Sequence, residues 1–429
     1  MRHIQNIVVE NPEELKAKLL LWGKQYDCQI FLDSNNDTSN AYSSYDAVLA
    51  VDTFTLIKSD DYQAFDRLKE YVSVTQDWIF GYLSYDLKND TDNLVSGNYD
   101  GLDFPELYFF QPKKIFLLKE NRLQILYLNH VADEWEDDLK AIENQQLTDD
   151  YNCPKLNMLA RISRENYLEK VSKMLQHIKL GSIYEANFCM EFYSENVEIS
   201  PLAVFQKLND ISCPPFSVFL NMKPYYLLSA SPERFLRKQK NKIISQPVKG
   251  TAKRSPNEKE DQTLATELQN SLKERTENIM IADLVRNDLS KTASRDSVKV
   301  EELCGLYSFK QVHQLITTVV SEVSTETHPV DIIKSAFPMG SMTGVPKKRA
   351  MEIIEMLEET KRSLYSGAVG YFTPDGDFDF NVVIRSILYN SKNNYLSFSV
   401  GGAIPIHSAP EQEYEDCLLK ARAMQQVLT

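Results

Sequence analysis

Paired cysteines, long apolar runs and an excess of positive charge are all missing from this chain, and each absence removes a class of protein. The six cysteines (28, 153, 189, 213, 304 and 417) are scattered and form no C-x-x-C pair. Free thiols in a reducing compartment are therefore expected, and a zinc site is not. No run approaches the roughly 18 apolar residues of a membrane helix. Glu10, Glu13 and Glu14 interrupt any apolar core near the N-terminus, so no secretory signal is expected. Lys and Arg number 47 against 61 Asp and Glu, a net charge of -14. Nucleic acid and anionic membrane would both be repelled, so neither is an expected partner. These exclusions point to a soluble cytoplasmic protein.

What is present is an ordinary globular composition, 43% hydrophobic and 25% charged. Its 429 residues suffice for two or three domains, or one large intertwined core. Residues 1–150 read as a mixed α+β region. Asn11-Pro12-Glu13-Glu14 starts a helix. Strands are expected at Gln29–Leu32, Tyr45–Val51, Trp78–Tyr85 and Leu107–Phe110, with a hairpin of Lys114–Leu118 and Leu123–Leu128. The polar stretch Asn144–Asn157 is the candidate linker to a second region, 158–429, with which the first is expected to be intertwined.

The second region carries the chemistry. Ser163 caps an amphipathic helix with Tyr167, Val171, Met174 and Ile178 on one face. A strand at Ile183–Phe188 follows. The corner Ser231-Pro232-Glu233-Arg234 presents an acid. The stretch Gln246-Pro247-Val248-Lys249-Gly250-Thr251 follows a buried strand, breaks at Pro247 and turns at Gly250. A lysine on such backbone is a candidate nucleophile if its surroundings take its proton, although most loop lysines are merely solvated. Capping boxes at Ser255, Ser271 and Ser408 start three helices. The second sets Glu274, Glu277, Ile281, Leu284 and Asp288 on one face, and the third places Glu413 and Asp416 three apart. Paired carboxylates of this kind can hold a hard cation, yet in an acidic chain they more often form a solvated face. Gly340-Ser341-Met342-Thr343-Gly344 opens a helix over Lys347–Glu359, a start that suits an anion. Alternation puts Asn381, Val383 and Arg385 on one strand face, and a last strand ends at Gly401-Gly402. Lys249, Lys253, Arg254, Lys347 and Arg385 thus gather where glycine is frequent, which suggests a small anionic ligand.

In order, these stretches resemble the chorismate-utilising enzymes: anthranilate synthase component I, aminodeoxychorismate synthase component I, and the isochorismate and salicylate synthases. The resemblance runs from Gly181-Ser182-Ile183-Tyr184-Glu185-Ala186-Asn187 through Glu277–Asp288 to Gly401–Tyr414, and is loose before residue 158. It implies an α+β sandwich of large antiparallel sheets with helices outside. Lys249 stands where anthranilate synthases carry Ala and aminodeoxychorismate synthases carry Lys, and isochorismate-type enzymes place a base lysine at the position of Glu185. The aminodeoxychorismate synthase branch is therefore implied, with anthranilate synthase second and a non-catalytic binding protein as the reading of another class.

On that branch Lys249 is implied as nucleophile and Glu233 as general acid. Gly250, Thr251, Ser341, Thr343, Tyr371, Arg385, Gly401 and Gly402 are implied as substrate contacts. Mg²⁺ is the implied cofactor, held by Glu277 and Asp416 with Glu413 nearby. Asp416 departs from the family's Glu. Gln314 occupies the place of a His linked to pyruvate elimination, with His313 one residue earlier. No G-x-C-x-G elbow surrounds any cysteine, so ammonia is expected from a separate glutamine amidotransferase subunit.

Overall fold

Short runs rich in β-branched and aromatic residues become strands, and their apolar faces force them into two packed layers. The computed structural model describes residues 2–37, 41–147 and 155–429. The first layer runs Arg2–Val8, Arg122–Leu128, Leu107–Lys119, Ala47–Ser59, Cys28–Asp33, Phe216–Met222, Tyr225–Ser231, Ser386–Asn390, Tyr395–Pro405 and Glu185–Glu195, every pair antiparallel. The second leaves Leu107–Lys119 through Ile79–Leu83, Ala368–Phe372, Phe378–Val382, Arg234–Gln239 and Lys242–Gln246 to Val312–Glu322. Val312–Glu322 also pairs with Val248–Lys253 and Lys299–Ser308.

Leu107–Lys119 was expected as two strands separated near Pro112. It is one, because Pro112 lies opposite Thr53, where the register slips and no donor is needed. N-terminal strands pair directly with C-terminal ones, Cys28–Asp33 with Phe216–Met222 and Ile79–Leu83 with Ala368–Phe372. Half of the linker candidate Asn144–Asn157, residues 148–154, falls outside the described residues.

Phe80, Phe109, Phe372 and Phe380 fill a core between the layers. A second core covers the outer face of the first layer. It is built from Leu15 and Leu19, from Tyr167, Val171, Met174 and Ile178, and from Cys417, Ala421 and Met424 on three helices. The α+β sandwich with outer helices is thus the observed architecture. Among the described residues no helix is long and apolar enough to cross a membrane.

Ser163, Asn11 and Ser271 cap their helices as expected. The other two boxes differ. Asn257, not Ser255, caps Glu258–Asn270. Pro410–Leu428 has no side-chain cap, because Ala409 occupies the N-cap position, and the Ser408 hydroxyl donates to Glu413 at 2.8 Å.

Candidate active site

Pro247 ends Lys242–Gln246, and the next strand, Val248–Lys253, slips register against Val312–Glu322 between Val248 and Thr251. Gly250 takes φ +93°, a conformation that favours glycine. This bulge delivers Lys249, Gly250 and Thr251 to the wall of a solvent-open cleft of about 740 Å³. Glu233, Ser341, Arg385, Gly401 and Gly402 line the same cleft.

Glu233 sits at the corner between Tyr225–Ser231 and Arg234–Gln239 and is 3% exposed. Burial pushes its carboxyl up to about 7, with the Ser341 hydroxyl, Lys249 and Arg385 pulling the other way. Ser341 donates to Glu233 Oε1 at 2.6 Å. A carboxyl so placed holds its proton near neutral pH and can give it up. Arg385 lies beyond its strand, which ends at Val382, with φ +51°. The expected alternation therefore fails: Asn381 lines a separate cleft, while Arg385 turns toward Glu233. Burial lowers the Arg385 guanidinium to about 10, and it stays a cation at neutral pH.

The cations expected to surround Lys249 are mostly engaged elsewhere. Lys347 Nζ binds Asp288 at 2.6 Å, and Arg254 is paired with Asp261. Lys253 is exposed. The charged neighbour of Lys249 is instead a carboxylate, Glu185 at 3.5 Å. Two cleft residues escaped sequence reading. Lys420 lines it and donates to the Gly401 carbonyl at 2.8 Å. Its signal was its place seven residues after Glu413, on the same helix face. Asn187 also lines it, its amide donating to the Ser341 carbonyl.

On Val312–Glu322, alternation separates two neighbours. Gln314 faces the cleft, its Oε1 without a partner among the described residues. His313 points away, to Ser308 and Asp261.

Gly401 and Gly402 differ in what crowds them. A Cβ at Gly401 would lie 2.5 Å from Cys189 Sγ and 2.5 Å from the Phe188 carbonyl. One at Gly402 would lie 3.4 Å from both Glu413 Oε2 and Lys420 Nζ. Two implied contacts sit elsewhere. Thr343 is fully buried, its hydroxyl donating to the Met339 and Gly340 carbonyls rather than lining the cleft. Tyr371 lines the other cleft, packed on Trp78 and Phe80.

Glu277, on Leu272–Ser290, and Glu413, on Pro410–Leu428, are both pushed up by burial, and neither has an ion-pair partner among the described residues. Lys273 acts on both from a distance. Asp416 is exposed on the same helix as Glu413. No three such side chains cluster closely enough to form a metal site alone among the described residues. Carboxylates outside any ion pair among the described residues still suit Mg²⁺, which commonly takes one or two from protein and fills its shell with water and substrate.

A lysine, a buried acid and two cations around one cleft define an enzyme site for a small anionic substrate. The chain belongs to the chorismate binding enzyme family, whose model matches residues 6–426. It is 31% identical to aminodeoxychorismate synthase component 1 of Bacillus subtilis, covering 81% of this chain and 76% of that one. It is 37% identical to the Escherichia coli protein of the same name, over 60% of this chain and 56% of that one. With anthranilate synthase component 1 of Thermus thermophilus the identity is 32%, over 81% and 76%. The fold matches the crystal structure of anthranilate synthase component I from Streptococcus pneumoniae, with a TM-score of 0.80, 22% identity, and coverage of 90% and 93%. The protein is an enzyme that acts on chorismate.

Proposed function

We propose that this chain is an aminodeoxychorismate synthase component I, converting chorismate and ammonia to 4-amino-4-deoxychorismate for 4-aminobenzoate and folate synthesis. The observation that carries this reading is that Lys249, Glu233 and Gln314 line one cleft, while His313 faces away. A nucleophile and an acid suit substitution at the ring. The absence of an imidazole at Gln314 disfavours the pyruvate elimination that anthranilate formation requires.

Arg385 and Lys420 offer positive charge to the carboxylates of the dianion, and Gly402 leaves room for it. Neutral Lys249 bonds to the ring as the hydroxyl leaves, Glu233 giving that oxygen the proton with which it departs as water. Ammonia then bonds at C4 as the Lys249 nitrogen is expelled. Dividing one displacement into two lowers each barrier. Glu277 and Glu413 would hold Mg²⁺, which when bound supplies charge neutralisation at the ring carboxylate. Ammonia comes from a separate glutamine amidotransferase subunit.

The test is incubation of pure protein with chorismate, Mg²⁺ and ammonium salt, followed by product identification. 4-Amino-4-deoxychorismate is expected. Anthranilate would select the alternative supported by the Thermus relative, and intact binding without turnover would indicate a binding protein. Lys249→Ala should abolish any lysine-linked ring adduct seen by mass spectrometry, and an adduct persisting in that variant removes Lys249 from this role.

A further inference from the structure

An amine that must attack a ring cannot do so as an ammonium, and the cleft places an acceptor for its proton beside it. We infer that Glu185 is the positioning residue that takes the Lys249 proton at the start of each cycle and returns it at the end. The inference rests on the reading of Lys249 as nucleophile.

Glu185 opens the strand Glu185–Glu195, and its carboxylate lies 3.5 Å from Lys249 Nζ. The side chain is 2% exposed, whereas that of Lys249 is 14% exposed. Its second oxygen, Oε2, is buried and has no hydrogen-bond partner among the described residues. That oxygen is an open acceptor beside the amine. Strand pairing fixes its backbone, with Glu185 in register between Val345 and Pro405.

The other charged groups facing Lys249 are suited to other tasks. Glu233, from the corner preceding Arg234–Gln239, keeps its own proton for the leaving oxygen. Glu277, from Leu272–Ser290, acts on Lys249 but makes no ion pair with it within 4 Å. Glu274 of the same helix abuts Gly250. Arg385 and Lys420 are cations.

The protons balance. In the resting pair the Lys249 ammonium gives one proton to the Glu185 carboxylate, leaving a neutral amine and a neutral acid. The amine bonds to the ring as the C–O bond breaks, and Glu233 donates the proton that makes the departing hydroxyl water. The secondary ammonium so formed is expelled as neutral amine when ammonia bonds at C4, and Glu185 returns its proton to Lys249. The product ammonium reprotonates Glu233. Substrate filling the cleft excludes water and so disfavours the ion pair relative to the neutral pair, which places the transfer after binding.

The experiment measures adduct formation at Lys249 by rapid-quench mass spectrometry, with chorismate and Mg²⁺ but no ammonia, across a pH series. Wild type, Glu185→Gln and Glu185→Asp are compared. Glu185→Gln should slow the adduct about 10²-fold at neutral pH, the scale of a lost general base. Its rate should then climb with pH up to about 7, as hydroxide replaces the carboxylate, and level off above it where Glu233 ionises. Glu185→Asp should recover part of the neutral-pH rate. A Glu185→Gln adduct rate equal to wild type, or lowered by one factor at every pH, overturns the inference while leaving Lys249 as nucleophile. No adduct in wild type, with turnover retained in Lys249→Ala, sinks both. Reductive methylation of Lys249 without substrate gives a readout independent of turnover, and unchanged pH dependence of that labelling in a Glu185→Gln protein that melts with the wild type would also overturn the inference.

Discussion

Burial of Glu233 sets the pH behaviour of the site. A carboxyl raised to about 7 by desolvation is protonated below that pH and ionised above it. As the acid that protonates the departing hydroxyl, it is competent on the low side, so the rate of the chemical step should fall as pH rises through about 7. Glu233→Gln removes the donor, and kcat should drop by about 10²- to 10⁴-fold with that limb gone from the profile. Ser341→Ala removes a hydroxyl that favours the charged form. The carboxyl should then rise further, and the limb should move to higher pH. A limb that stays in place in Ser341→Ala would dissociate it from Glu233. The sequence held Glu233 and Lys249 because both sit on irregular backbone marked by Pro232, Pro247 and Gly250. It did not hold Lys420 or the pairing with Glu185, since Gly401 lies 19 residues from Lys420 and Glu185 lies 64 from Lys249, and only tertiary packing brings each pair together. The cations misjudged from sequence failed for the same reason: Lys347 and Arg254 each find a carboxylate on a helix that local pattern does not position.

Along the strand Tyr395–Pro405, two adjacent glycines answer different demands, and alternation makes the difference. Gly401 pairs with Cys189 in register, and any side chain there meets the Cys189 sulfur and the Phe188 backbone. Gly401→Ala should therefore destabilise the protein, by about 1–3 kcal/mol for an overpacked site, seen as a lower melting temperature. Gly402 faces Glu413 and Lys420 across ordinary contact distance. Gly402→Ala should fold with a near-native melting temperature and raise KM for chorismate, because the added methyl occupies space between the two helix side chains. Equal losses of stability in the two variants would contradict this division. Helices and strands were legible wherever capping or alternation was local, as at Ser163 and Ser271. Arg385 was misplaced on a continuing strand because nothing local announces that the strand ends at Val382.

The two layers are stitched from both ends of the chain, and this bears on how the whole molecule comes apart. Cys28–Asp33 lies between Ala47–Ser59 and Phe216–Met222, while Ile79–Leu83 bridges Leu107–Lys119 to Ala368–Phe372. Removing residues 1–150 would strip Phe216–Met222 and Ala368–Phe372 of a neighbour each and open the inner core around Phe80 and Phe109. Exposed strand edges and apolar faces of that kind associate rather than stay folded. Composition and length allow two or three domains or one intertwined core, and the expectation that the two regions intertwine names no strand pair, because strand pairing across hundreds of residues is not written in any window of sequence. The expected outcome is that a fragment starting at residue 158 is recovered aggregated, and that the intact chain loses near-ultraviolet and far-ultraviolet circular dichroism together in urea. Non-coincident curves, with the C-terminal fragment soluble and able to bind chorismate, would show that the catalytic region folds without its N-terminal strands.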